Sequence, residues 1–161
     1  STFLEGRDAL MALIDQLSED DPLRSRVERA LGDVNMKLLM SPQPYGDDTL
    51  YTIERGDTLD GIARRFGVSP DLLMRVNNIP NPRNLTIGRR IKVPDLDLSI
   101  VVDKRRNTLT LLNHGKFFKK YDVRTGTEDY MTPPGEFTIG AKTLNPAWTN
   151  PRTREYFGPG A

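Results

Sequence analysis

Apolar positions follow a helical period in the first forty residues and a strand period after residue 97, with a mixed stretch between. Leu10, Leu13, Ile14 and Leu17 fall at i, i+3, i+4 and i+7, and Val27, Leu31, Val34 and Leu38 form a second stripe. Between them, Ser18-Glu19-Asp20-Asp21-Pro22 offers an acidic cap followed by proline at a first helical position, which predicts a second helix starting near Pro22. Residues 1–41 are thus expected to form a helical hairpin. Its expected role is a packing or spacer element whose apolar seam faces the rest of the protein.

The middle stretch is shorter in rhythm. Tyr51-Thr52-Ile53 alternates like a strand, and Glu54-Arg55-Gly56-Asp57 turns into a helix capped by Asp57 or Thr58, with Ile62, Ala63 and Phe66 on its inner face. Gly67 stops that helix; Ser69 and Pro70 start another, with Leu72, Leu73 and Val76 inward. The chain then passes Asn77-Asn78-Ile79-Pro80-Asn81-Pro82, Leu85, Ile87 and Gly88, and ends in a strand Arg90–Val93. This is strand, helix, helix, strand. Beyond Pro94-Asp95 the pattern is all strand: Leu98–Asp103, Thr108–Leu112 and Phe117–Arg124 are joined by Lys104–Asn107 and by an Asn113-His114-Gly115-Lys116 turn. Phe117, Tyr121 and Val123 are expected on one face, and a further strand is expected over Phe137–Gly140.

Charge divides the chain at the same places. Lys and Arg number 5 against 10 Asp and Glu in residues 1–50, 8 against 4 in residues 51–94, and 10 against 8 in residues 95–161. The turn-dense Ser41–Asp48 stretch makes 42–50 a linker. The fold class expected is a modular α+β chain: helical hairpin, βααβ module over 51–94, then an antiparallel β-sandwich-like domain over 98–161. The 161 residues are 37% hydrophobic, and no apolar run approaches the ~20 residues that cross a bilayer, so no membrane span is expected. Zero cysteines exclude disulfides, thiolate metal sites and a cysteine nucleophile within these residues. With no metal-ligand cluster or cofactor motif, no metal and no cofactor are expected.

Tyr51-Thr52-Ile53, Gly56-Asp57-Thr58-Leu59, Ile62-Ala63, Phe66-Gly67-Val68-Ser69, Asn77-Asn78-Ile79, Ile87-Gly88 and Ile91-Lys92-Val93-Pro94 together resemble the LysM domain. That resemblance implies binding of peptidoglycan or another N-acetylglucosamine polymer in a shallow groove between two loops. Carried onto this chain, the glycan-binding residues are Gly56, Asp57, Thr58 and Leu59 in one loop, and Asn78, Ile79, Pro80, Asn81 and Pro82 in the other. Backbone amides in such turns can pair with acetamido and hydroxyl groups, with Ile79 offering an apolar surface to the N-acetyl methyl. The same residues have purely structural uses: Gly56 for the turn, Asp57 or Thr58 as a cap, Leu59 in the core. Arg64, Arg65, Arg89, Arg90 and Lys92 make the module basic. Motifs of RNA or DNA readers are lacking, so no nucleic-acid partner is expected, and a solvated face or contact with anionic wall polymers is the alternative.

Downstream, Ile100-Val101-Val102-Asp103, Asn107-Thr108-Leu109-Thr110-Leu111, Tyr121-Asp122-Val123, Thr132-Pro133-Pro134-Gly135-Glu136-Phe137, Asn145-Pro146-Ala147-Trp148-Thr149 and Tyr156–Ala161 resemble the amino-terminal half of the L,D-transpeptidase (YkuD) catalytic domain. That family forms 3→3 peptidoglycan crosslinks through a cysteine thiolate that attacks a stem peptide. Its catalytic histidine and Ser-His-Gly-Cys-Ile-Arg-like motif are expected beyond Ala161, so no catalytic residue is assigned here, and the chain by itself is expected to be inactive. His114 reads as a turn residue. Thr132, Pro133, Pro134, Gly135 and Trp148 are the candidates for lining a stem-peptide groove, with turn chemistry and packing as their structural use.

The function implied is that of an exported cell-envelope protein, in periplasm or cell wall, with its export signal outside these residues. It would hold peptidoglycan through the LysM domain and belong to the L,D-transpeptidase family. The alternative is a non-enzymatic peptidoglycan- or chitin-binding scaffold. One structural expectation follows: strands from 98–161 leave an apolar face of Leu109, Leu111, Phe117, Tyr121, Val123, Phe137 and Ile139. Further chain, edge-to-edge pairing or the helical hairpin would have to cover it.

Overall fold

The computed structural model describes residues 2–83, 85–126, 131–140, 142–150 and 152–159. Residues 127–130, within the Gly126–Gly135 loop expected before the Phe137–Gly140 strand, and the last two residues of the 156–161 motif lie outside the described residues. Two compact units are present, Ser1–Thr125 and Gly126–Ala161. The architecture is α+β.

The first unit begins with the helical hairpin, α1 (Thr2–Gln16) and α2 (Arg24–Leu39). Helix α2 starts two residues later than Pro22. Asp21 Oδ1 accepts the Leu23 N–H at 2.8 Å, which holds Pro22 in a turn, and Leu23 at the N-cap makes no side-chain cap bond. Ile14, Val27 and Leu31 form the hairpin core, with Leu10, Met11, Leu17 and Phe117 packed around it. The seam on α2 is rotated from the expected stripe: Val34 and Leu38 are only half-buried, while Glu28, Gly32 and Asn35 are buried. The reason is a second neighbour. Helix α2 packs on strand β5 (Lys116–Asp122) as well as on α1. Its polar residues are buried because they are satisfied. Glu28 accepts from Arg24 Nε at 3.2 Å and from Lys120 Nζ at 2.8 Å, and Asn35 Nδ2 donates to the Phe118 carbonyl at 2.8 Å. A Cβ on Gly32 would stand 3.1 Å from Lys119 Cγ, so the glycine permits the close approach.

The βααβ module follows: β1 (Thr49–Thr52), α3 (Leu59–Phe66), α4 (Pro70–Val76) and β2 (Arg90–Val93), with β1 and β2 antiparallel in the register Tyr51 opposite Ile91. Ile53, Leu59, Ile62, Ala63, Leu73, Ile79, Ile91 and Val93 are its core. Helix α3 is capped by Thr58 Oγ1, which accepts the Gly61 N–H at 3.1 Å, and α4 by Ser69 Oγ, which accepts the Leu72 N–H at 3.1 Å. Gly67 at φ 69° ends α3, with the Val68 N–H returning to the Ala63 carbonyl at 3.0 Å. Asn78 at φ 50° ends α4 in the same way, with the Ile79 N–H on the Met74 carbonyl at 2.9 Å.

The last part of this unit is an antiparallel meander of β3 (Leu98–Asp103), β4 (Thr108–Asn113) and β5, in the order β3-β4-β5. Ile100 pairs with Leu111, and Val102 with Leu109. The register shifts between β4 and β5: Leu111 pairs with Lys119 but Leu112 with Phe117, leaving Phe118 as an extra residue. The bulge overturns one expectation. Phe117 lies on the face opposite Tyr121 and packs against the hairpin core, while Lys119, on the Tyr121 side, meets α2 at Gly32 and Asp33, so the helix runs along the β5 edge. His114 (φ 48°) and Gly115 (φ 71°) form the tight β4–β5 turn, and His114 Nε2 lies 2.9 Å from Asp95 Oδ2.

In the second unit, β6 (Trp148–Thr149) and β7 (Tyr156–Phe157) form a two-residue antiparallel ladder. The strand expected over Phe137–Gly140 is not formed. Those residues pair with no strand and are exposed, Phe137 at 75%. Alternation marks residues able to form a strand, but without a partner ladder the extended backbone gains no inter-strand hydrogen bonds. The sandwich is therefore represented by one three-stranded sheet, and β6–β7 is the only other strand pair after residue 97 among the described residues.

Candidate functional site

Two turns of the βααβ module wall a groove of about 540 Å³. The first wall is Glu54–Asp60. Asp57 shapes it: its Oδ2 accepts the Glu54 N–H at 2.7 Å and the Tyr51 hydroxyl at 2.9 Å, and the Asp57 N–H returns to the Glu54 carbonyl at 3.2 Å. That closed turn leaves Gly56 at φ 94°, a left-handed conformation suited to glycine. Donation to the Asp57 carboxylate is the main cause that raises the Tyr51 phenol above its ordinary pKa, with burial second. Tyr51 is held from behind by an edge-on contact with Phe66, ring centroids 5.6 Å apart, and by the Arg65 guanidinium at 5.5 Å.

The second wall is Pro82, Arg83, Leu85 and Ile87. Its turn is fixed by Asn81 Oδ1, which accepts the Arg83 N–H at 2.9 Å, and by Gly88, whose N–H donates to the Ile53 carbonyl at 2.8 Å with φ 82°. Ile53 and Leu59 make an apolar floor, both buried; Leu85 and Ile87 make an apolar side, with Ile87 64% exposed. Glu54, Asp60 and Arg83 supply the charged rim. Asn84 lies outside the described residues.

Of the residues expected to bind glycan, Gly56, Asp57, Thr58, Leu59 and Pro82 line this groove. Thr58 is at once a helix cap and a rim residue, and Leu59 is core and floor. Asn78, Ile79, Pro80 and Asn81 are not among its lining. Ile79 is 3% exposed, because the residue after the left-handed Asn78 folds back onto its helix and enters the core. It offers no surface to an N-acetyl methyl. Ile87 is the exposed apolar residue of the groove, and the sequence carried a signal for it: an isoleucine directly before the turn glycine, where neither helix nor strand period demands an apolar residue.

The expected basic face is also redrawn. Lys92 is 0% exposed, and Arg89 is spent on the Asn77 carbonyl at 2.6 Å. In the second unit, Thr132 Oγ1 accepts the Gly126 N–H at 2.9 Å, Gly135 takes φ 151°, Pro133 and Pro134 are exposed, and the Trp148 ring stacks on Phe157 at 5.4 Å while remaining 53% exposed. Among the described residues no group of acidic, histidine or cysteine side chains could hold a metal ion, and no helix is long and apolar enough to cross a membrane.

A βααβ module with a loop-walled groove, followed by an antiparallel meander, defines a modular chain of two domain classes. Comparison with protein families identifies both. Residues 51–94 match the LysM domain and residues 97–160 the L,D-transpeptidase catalytic domain, so the chain carries a LysM domain followed by L,D-transpeptidase catalytic-domain sequence. Among curated relatives, the putative L,D-transpeptidase YkuD of Bacillus subtilis is 34% identical over 103 residues, 60% of this chain and 62% of that protein. The N-acetylmuramoyl-L-alanine amidase XlyB of Bacillus subtilis is 33% identical over 75 residues, 46% of this chain and 23% of that protein. The putative L,D-transpeptidase YqjB of the same organism is 40% identical over 50 residues, 31% of this chain and 28% of that protein. The chain thus spans less than two thirds of the length of these relatives.

Proposed function

We propose that the groove walled by Glu54–Asp60 and by Pro82, Arg83, Leu85 and Ile87 binds peptidoglycan or another N-acetylglucosamine polymer, and that the protein acts at the cell wall in L,D-transpeptidation. The observation that carries this reading is the preformed groove of the LysM domain. It pairs exposed turn backbone with the apolar Leu85 and Ile87 side, which suits a chain of acetamido and hydroxyl groups with methyls between them. An open groove collects contacts along a polymer, so affinity rises with oligomer length. In this reading Trp148 and the Thr132–Gly135 turn offer a surface to the stem peptide, and the protein is exported to the envelope.

Titration of the 161-residue chain with N-acetylglucosamine oligomers tests the glycan part. Amide shifts at Gly56, Thr58 and Ile87 that strengthen with oligomer length are expected; no heat and no shift with a long oligomer overturns it. The transpeptidation chemistry needs a thiolate, and these residues contain no cysteine. Incubation of this chain with a carbapenem is expected to leave its mass unchanged, and a covalent adduct would reveal a nucleophile elsewhere in it.

A further inference from the structure

The largest fully buried side chain among the described residues is a cation that does not line the groove. Lys92 leaves strand β2 on the side of the hairpin, and its Nζ donates to the carbonyls of Leu38 at 2.8 Å, Leu39 at 3.1 Å and Ser41 at 3.0 Å, with Gln43 at 3.4 Å. Asp48 Oδ2 lies 3.3 Å away and the Tyr45 ring centroid 5.1 Å away. Leu38 and Leu39 are in the last turn of α2, where the dipole is negative and the carbonyls lack i+4 partners, although the Leu38 carbonyl also accepts the Ser41 N–H at 3.2 Å. The ammonium therefore closes the end of one module from inside the next. Its own backbone is equally fixed, because Asn77 accepts the Lys92 N–H at 2.7 Å and donates to the Lys92 carbonyl at 2.7 Å. Helix α2 is in turn tied to β5 by the Asn35, Glu28 and Asp33 contacts, the last an ion pair with Lys119 at 2.9 Å.

We propose that Lys92 is a positioning residue that mounts the LysM groove rigidly on the hairpin, and through it on the β3–β5 sheet, so that residues 42–50 do not act as a hinge. A module on a flexible linker raises the local concentration of its ligand over a volume. A module clasped in this way presents a bound polymer to the sheet in one orientation. Opening the clasp would strand a buried ammonium and the carbonyls it gathers, and would leave the Asp48 carboxylate with only the N–H groups of Tyr45 and Asp95 at 3.1 Å, which opposes swinging of the module. The functional meaning rests on the glycan reading above; the rigid mount itself is tested without glycan.

Backbone 15N relaxation and thermal unfolding of the whole chain provide the test. The unaltered protein is expected to show one rotational correlation time for residues 24–39, 51–94 and 98–122, and one unfolding transition for all three. In Lys92→Met, the module over 51–94 is expected to tumble faster than the sheet and to melt separately. In Lys92→Ala, propylammonium at tens of millimolar replaces the missing atoms and restores the shared correlation time, whereas 1-propanol, of similar shape without charge, does not. If Lys92→Met unfolds the chain altogether, Asp48→Asn keeps the carbonyl contacts and weakens the clasp, and partial separation of the correlation times is expected. A single correlation time and a single transition in Lys92→Met, equal rescue by the alcohol, or no separation in Asp48→Asn where that variant is needed overturns the proposal. Ile87→Lys abolishes oligomer shifts without changing the tumbling, so a failure of the glycan reading is read independently.

Discussion

Asn77 performs, with one side chain, what a neighbouring strand would do for β2. Its amide nitrogen donates to the carbonyls of Leu73 at 2.9 Å and Lys92 at 2.7 Å, while its oxygen accepts the Lys92 N–H at 2.7 Å. Asn77→Ala leaves a backbone donor and a backbone acceptor of a buried residue unpaired. At ~1–3 kcal/mol for each, a loss of about 2–6 kcal/mol is expected by denaturant unfolding, with the midpoint moving and the slope unchanged. Asp103 acts at the surface by a different route. Its Oδ1 accepts the N–H groups of Arg105 at 2.8 Å and Arg106 at 3.1 Å, and these two bonds hold the carboxyl below its ordinary pKa of 3.8. The unfolded chain therefore takes up this proton first on acidification. The stabilisation from Asp103 is complete above the ordinary carboxylate range and disappears as pH falls through the lowered value. In Asp103→Asn the oxygen still accepts while the titration is gone, so a shallower fall of the unfolding midpoint between pH 5 and pH 2 (~the carboxylate range) is expected.

At the scale of elements, the ends of the short helices carry much of the definition. Helix α3 has eight residues and α4 seven, too short to persist alone, and each is bounded by a side-chain cap at one end and a left-handed residue at the other. Gly67→Ala places a Cβ at φ 69° and is expected to cost about 1–2 kcal/mol, seen as a lower melting temperature with the glycan groove unchanged. These features were legible because their chemistry is local: Thr58 and Gly67, and Ser69 with Pro70, announce starts and stops within a few residues. What was not legible depends on neighbours distant in sequence. The rotated face of α2 follows from β5, more than 70 residues further on, through the 2.8 Å bond of Asn35 to Phe118. The bulge at Phe118 reverses Phe117, and no residue pattern in Lys116–Asp122 marks it. Lys92 alternates with Ile91 and Val93 as a solvent-facing lysine would, yet the end of α2 lies over it. For the groove, the first loop was readable from its turn residues. The second was displaced by a few positions because Ile79, apolar and set in a polar loop, is claimed by the core.

For the whole molecule, the hairpin resolves one edge of the sheet and leaves the other. Helix α2 lies along β5 and takes the Phe118 carbonyl, so that edge is covered. Strand β3 is the opposite edge, and among the described residues it pairs with no strand but β4. Leu98, Ile100 and Val102 on one face and Val101 on the other are all exposed, and the strand Leu98–Asp103 contains neither proline nor lysine to discourage pairing. Each such half-exposed side chain forgoes roughly half of the ~1.5–3 kcal/mol that full burial gives, and an open strand offers hydrogen bonds to a second chain. The 161-residue protein, 18.2 kDa as a monomer, is therefore expected to associate with rising concentration through β3. Ile100→Lys puts a charge on the apolar face of that strand without touching the groove, the Lys92 clasp or the hairpin core. Light scattering is expected to show a mass above 18.2 kDa for the unaltered chain at high concentration and a constant 18.2 kDa for Ile100→Lys. A monomer at all concentrations in both would mean that the exposed strand is guarded by its own twist or by a covering segment, and association unchanged by Ile100→Lys would place the sticky surface on another element.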